Sequence, residues 1–203
     1  MGRRILVRGL LTSAYTMEFR LVYRGKLKGN GNVDEKHRIR QALHPQLATL
    51  WKQKPLTDYH DLLPGGKNEN RSPFLRPLGG FTFIPLVVSV ADLIAEIDIT
   101  FLRPEAPGSF VSSGGGDIDN RIKTLLDALR VPQNATELPR DAAPSETENP
   151  FFCLLEDDCL ITHLSVTTDR LLETAQHQLD VILMLHVRVK VTRATADYFA
   201  LGM

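Results

Sequence analysis

Between residues 179 and 191, Leu179, Val181, Leu183, Leu185, Val187, Val189 and Val191 fall at every second position. A period of two puts these side chains on one face of a β-strand, with Asp180, His186, Arg188 and Lys190 on the other. A strand this long with one apolar face needs partner strands and a layer to cover that face. Candidate partners are present. "MEFRLVYR", residues 17–24, alternates Phe19, Leu21 and Tyr23 with Glu18, Arg20 and Arg24. "LIAEIDITFL" alternates Ile97, Ile99 and Phe101 with Glu96, Asp98 and Thr100. "FTFIPLVVSV" and a segment from about residue 160 to 168 read as further strands.

Two segments can supply the cover. From Asp34 to about Gln53, Ile39, Leu43, Leu47, Leu50 and Trp51 form a helical stripe, with Pro45 as a potential kink. From Ile118 or Asp119 to about Arg130, Ile122, Leu125, Leu126 and Leu129 form another. Residues 54–80 read as loop. Residues 131–150, "VPQNATELPRDAAPSETENP", have no period and read as a mobile surface insertion. The order β, α, β, β, α, β, β predicts an α+β fold: a small mixed sheet with two main helices packed on it, in a single domain over residues 1–203.

No run of eighteen apolar residues occurs, so no membrane span is predicted. Arg8 interrupts the apolar stretch near the N-terminus, which argues against a signal peptide. Cys153 and Cys159 have no His or Cys pair at zinc-site spacing, and they predict buried thiols in a reducing, cytoplasmic compartment. The net charge of zero hides an asymmetry. Residues 1–76 hold fifteen Lys and Arg against six Asp and Glu, and the remainder reverses that excess. Such a chain can hold a polyanion with one part and cations with the other; it can also be unevenly solvated and nothing more.

The chemistry concentrates in "GGGDIDNRIKTLLDAL", residues 114–129. Asp117 and Asp119 flank Ile118 at a helix entrance. In extended chain, residues two apart project to one side, so both carboxylates can converge on one cation. Asp119 alone also fits a helix cap. No Gly-Lys-Ser/Thr follows the glycines, which excludes a P-loop, and the sixth and twelfth positions from Asp117 are Ile122 and Ala128, which excludes an EF-hand. Asp119, Lys123 and Asp127 are spaced four apart. That spacing allows surface ion pairs, or a Lys123 set beside a metal site. A second acidic cluster, Glu156, Asp157 and Asp158, lies between the apolar runs "FFCLL" and "CLITHL". Oxygen ligands from two points of the chain suit Mg2+ or Mn2+. His163 is near that cluster in sequence, but in a strand it reads as a packed or surface histidine.

"DIDNRIKTLLDAL" followed by "EDDCLI" resembles the RusA family of Holliday junction resolvases. The shared features are an Asp-x-Asp-Asn motif, a lysine four residues after the second aspartate, a helix ending near Leu-Asp-Ala-Leu, and a later Asp-Asp pair leading into a strand. The resemblance covers residues 117–129 and 156–161; elsewhere only element order matches. It implies a RusA-like α+β homodimer that nicks four-way DNA junctions symmetrically with Mg2+ or Mn2+. By position, it implies that Asp117, Asp119 and Asp158 are metal ligands, Lys123 the essential lysine, and Asn120 and Asp157 supporting residues. This chain carries "SSGGG" where a basic run is expected ahead of Asp117. Arg20, Arg24, Lys26, Lys28, Arg38 and Arg40 are candidates to contact DNA in its place. The expected activity is that of a metal-dependent endodeoxyribonuclease in DNA recombination and repair. The alternatives are a metal phosphodiesterase on other branched DNA, a structure-selective DNA-binding module without turnover, and a structural acidic domain.

Overall fold

The computed structural model describes residues 15–104, 118–177 and 179–192. Along the chain run β1 (Tyr15–Lys26), α1 (Val33–Leu50), β2 (Arg76–Leu78), β3 (Phe81–Val87), β4 (Leu93–Arg103), α2 (Ile118–Leu129), β5 (Phe151–Leu155), β6 (Ile161–Arg170) and β7 (Asp180–Val191). The fold is α+β, as the element order predicts.

The period-two stripe is β7, an inner strand of a four-stranded sheet ordered β1-β7-β4-β6. It runs antiparallel to β1 and β4, while β4 and β6 are parallel. One row across the sheet joins Leu21, Leu185, Ile99 and Val166. Val181, Leu183, Leu185, Val187 and Val189 are buried, at roughly 1.5–3 kcal/mol for each large apolar side chain. The opposite face is open and charged.

The expected single sheet is in fact two. β2, β3 and β5 form a separate three-stranded sheet, with β3 and β5 parallel. β3 explains the split. Phe81 and the whole run from Phe83 to Val87 are buried, so this strand has no solvent face and belongs between layers. A 3-10 turn at Ser89–Ala91, closed by Asp92 at φ 51°, then redirects the chain into β4.

α1 opens with a capping box. The Asn32 side chain accepts the Glu35 N–H at 2.9 Å, and Glu35 accepts the Asn32 N–H at 2.9 Å. The helix keeps Pro45 inside it. Gln46 clasps the outer edge of β1, accepting the Val22 N–H at 2.9 Å and donating to the Val22 carbonyl at 2.7 Å. A helix thereby shields an otherwise unpaired strand edge.

Residues 131–150, expected as a mobile insertion, make several contacts with the rest of the chain. Arg130 pairs with Glu137 at 3.0 Å, Gln41 donates to Glu148 at 2.8 Å, and His44 Nε2 meets the Thr147 carbonyl at 2.8 Å. Val131 and Leu138 join Phe81, Phe83, Phe151 and Cys153 in a second apolar cluster. The anchors are single residues, so they leave no period in the sequence. Among the described residues, no helix is long and apolar enough to cross a membrane.

Candidate functional site

α2 is amphipathic for a simple reason. Ile122, Leu125, Ala128 and Leu129 face inward and are buried, while Asp119 and Lys123 lie one turn apart on the outer side. Asp119 stands in the first turn, where the helix dipole favours an anion. The helix starts at Ile118, so Asp119 is inside it and not its N-cap. Asp117 lies outside the described residues. Pro132 follows the helix closely and bars its extension.

Past α2 the chain passes alongside the strand that leads to the second acidic cluster. The Val131 N–H donates to the Leu155 carbonyl at 2.9 Å, and Arg130 bridges Leu155 in parallel register. Each of the three acidic residues then has a different task. Glu156 accepts from the Ser89 N–H at 2.8 Å and from the Ser89 hydroxyl at 2.9 Å, and pairs with Arg76. Partial burial would raise its carboxyl pKa; the Ser89 and Arg76 hydrogen bonds outweigh that and hold it below the usual range. Asp157 caps the 3-10 turn Asp158–Leu160, accepting the Cys159 N–H at 2.9 Å and an amide N–H of Gln133 at 3.0 Å. Hydrogen bonds from Cys159, then from Gln133, hold Asp157 low. Asp158 is exposed.

Asp119, Lys123 and Asp158 open into one cleft of about 550 Å³ between α2 and the edge strand β6. Ile118, Ile122 and Leu126 form one wall, and Leu164, Val166 and Thr168 form the other. Asp119 belongs to the end where α2 starts. Asp158 adjoins Asp157, which is tied to Gln133 beyond the helix C-terminus. From Ile118 to Leu126 the helix advances about 12 Å, which sets the length of the trough. Lys123 lies one helical turn after Asp119 on the same wall. Among the described residues, none of the three takes part in an ion pair, and no group of three or more His, Cys, Asp or Glu side chains could hold a metal ion. The Lys123–Asp127 ion pair that the spacing allows is not present among the described residues: Asp127 pairs with Lys36 at 2.7 Å and lies 3.9 Å from Arg130.

Asn120 contributes its backbone to a link between the helices. Its carbonyl accepts the Thr124 hydroxyl at 3.0 Å, and Thr124 Oγ1 accepts the Gly31 N–H at 2.9 Å. This ties the first turns of α2 to the start of α1. The contact requires glycine, because a Cβ at Gly31 would lie 2.5 Å from Thr124 Cγ2.

The basic candidates divide. Arg24, Lys26, Lys28 and Arg38 line one pocket between β1 and α1. Arg20 pairs in register with His186 on the open face of the four-stranded sheet. Arg40 is a correction to the expected DNA contacts. It is 2% exposed, and its guanidinium donates to the Arg130 carbonyl at 3.1 Å and the Asp127 carbonyl at 2.9 Å, so it holds α1 to the end of α2.

Neither thiol is suited to nucleophilic chemistry at neutral pH. Burial pushes Cys153 up to about 12, and the Asp157 carboxylate beside Cys159 raises its pKa. Cys159 is exposed, not buried as expected. Sequence reasoning also missed a charge network on the open sheet face. Asp98 accepts from Ser165 and, at 2.7 Å, pairs with Arg188; Glu96 pairs with Lys190 and, at 3.2 Å, with Arg188. His163 contacts Asp98 at 3.3 Å, which makes it a member of this network. The alternation of Glu96 and Asp98 with apolar residues signalled their face, but their partners come from β6 and β7. Comparison with models of known families, with curated proteins and with solved structures returned no match.

Proposed function

We propose that this chain is a metal-dependent endodeoxyribonuclease of the Holliday junction resolvase type, with the α2–β6 cleft as its active site. The observation that carries the proposal is the exposure of Asp119, Lys123 and Asp158 in one cleft, without ion-pair partners among the described residues. Charges left unpaired in a concave site suit a charged ligand.

The donors fit a hard cation, since carboxylate oxygens line the cleft and no thiol or imidazole does. Asp119, Asp158 and the preceding Asp117 are the carboxylates that would hold it. When bound, Mg2+ or Mn2+ supplies charge neutralisation at the phosphate and lowers the pKa of the attacking water. Lys123 places an ammonium one helical turn from Asp119, where it offsets charge that builds on a phosphoryl oxygen. Asp157 fixes the turn that presents Asp158, and Asn120 ties the first turn of α2 to Thr124. In a homodimer, two such clefts would address opposing strands of a four-way junction.

The test is cleavage of a synthetic four-way junction by the purified protein with Mg2+. Paired nicks that are lost in Asp119→Asn and Lys123→Met support the proposal. Undiminished cleavage in Asp119→Asn would remove the assigned site, and binding of the junction without any cleavage by the wild type would favour a binding module.

A further inference from the structure

A polar cavity lies between the end of β1 and α1. We propose that it seats the phosphodiester backbone of the DNA strand flanking the cleft. The identity of the polyanion rests on the nuclease function proposed above; the affinity for a polyanion rests on the pocket itself.

The cavity measures about 550 Å³ and is built from the end of β1, the turn after it and α1. Arg24, Lys26 and Lys28 recur at every second residue, with the fully buried Leu27 anchoring the segment from below. Arg38 reaches the same cavity from α1. The opposing charge is weaker. Arg24 pairs with Glu173 at 3.2 Å and Lys28 with Glu35 at 3.2 Å. The Arg24 pair is exposed on both sides, and Lys28 is exposed in the other, so water screens each pair and a phosphate can replace it. Lys26 and Arg38 make no ion pair among the described residues, although Arg38 Nε donates to the Asp34 carbonyl at 3.4 Å. Four cations in one concave, polar site, against Glu35, Glu173 and the Asp180 that faces Lys26 across the strand pair, favour an anion.

The pocket is also held at a set place relative to the cleft. The turn that carries Lys28 continues into Gly31, whose N–H is bound by Thr124 of α2. Thr124 is hydrogen-bonded in turn to Asn120, the residue after Asp119. The turn that carries Lys28 is therefore linked, through Gly31 and Thr124, to the Asp119 half of α2.

The test is the salt dependence of binding of a fluorescein-labelled DNA duplex by the full chain in EDTA, so that no cleavage intervenes. Each cation that neutralises a duplex phosphate contributes about 0.9 to the slope of log K against log salt. The double variant Lys26→Ala/Arg38→Ala is expected to lower that slope by about 2, with an unchanged melting midpoint. Arg20→Ala, on the open sheet face, is expected to leave it unchanged. An equal slope for the double variant and the wild type, an equal loss in Arg20→Ala, or no DNA binding by the wild type would overturn the inference. Failure of the pocket and failure of the nuclease proposal separate cleanly. Metal-dependent junction cleavage with a slope indifferent to Lys26 and Arg38 removes the pocket alone. A slope that depends on them in a protein that cleaves no branched DNA removes the nuclease alone.

Discussion

The open face of the four-stranded sheet and the α2–β6 cleft are both rich in charge, and they use it in opposite ways. On the sheet face, Glu96, Asp98, Arg188 and Lys190 satisfy one another, with Ser165 and His163 completing the shell of Asp98. In the cleft, Asp119, Lys123 and Asp158 are exposed and form no ion pair among the described residues. Paired charge stabilises a surface; unpaired charge in a concavity is available to a ligand. Composition cannot tell these apart, because the distinction lies in what stands opposite each residue.

That contrast breaks most readily at the cleft. Asp119→Asn and Asp158→Asn are expected to lower junction cleavage on the order of 10²–10³-fold, as the loss of one transition-state contact does. Their melting midpoints should match the wild type, since both residues are exposed and without an ion pair. A large fall in melting midpoint would instead class them with the sheet-face charges.

The second largest effect is expected at Arg40, a buried cation whose partners are backbone carbonyls. Arg40→Met should destabilise by about 2–4 kcal/mol in chemical unfolding, since two carbonyls lose their donors. An unfolding curve that does not move, with weakened DNA binding, would restore Arg40 to the DNA contacts.

Smaller again is Asp98→Asn, expected to cost about 1 kcal/mol or less at neutral pH, because the carboxylate is partly exposed and screened. Its pH signature is sharper. The Ser165 hydroxyl, and then Arg188, hold Asp98 below its ordinary value against the pull of burial, and Lys190 does the same for Glu96. A depressed carboxylate contributes stability above its unfolded value, about 4, and loses it as pH falls through the lower folded value. Acid unfolding of the wild type should therefore steepen below about pH 4, and less so in Asp98→Asn. Identical acid limbs would detach Asp98 from the network. The smallest effect is expected from Arg20→Ala, within about 0.5 kcal/mol in unfolding and without change in cleavage.

Much of this fold was legible because its patterns are long. The period-two stripe of β7 and the helical face of α2 cannot sit in any other element without exposing their apolar side chains. Asp119, Lys123 and Asp158 were legible by type and spacing, and all three do face one cleft. Other features depended on tertiary contacts. Nothing near Arg40 in sequence announces the carbonyls of residues 127 and 130. The anchors of residues 131–150 are isolated side chains meeting distant partners. The separation of the sheets turns on a strand buried on both faces and on the left-handed Asp92.

The central claim is that the cleft takes a divalent cation through these carboxylates, and Mn2+ binding measured by electron paramagnetic resonance tests it directly. The account predicts saturable Mn2+ binding by the wild type that Mg2+ displaces, and its loss in both Asp119→Asn and Asp158→Asn with the fold intact. Mn2+ binding of equal strength in the wild type and in both variants would contradict it.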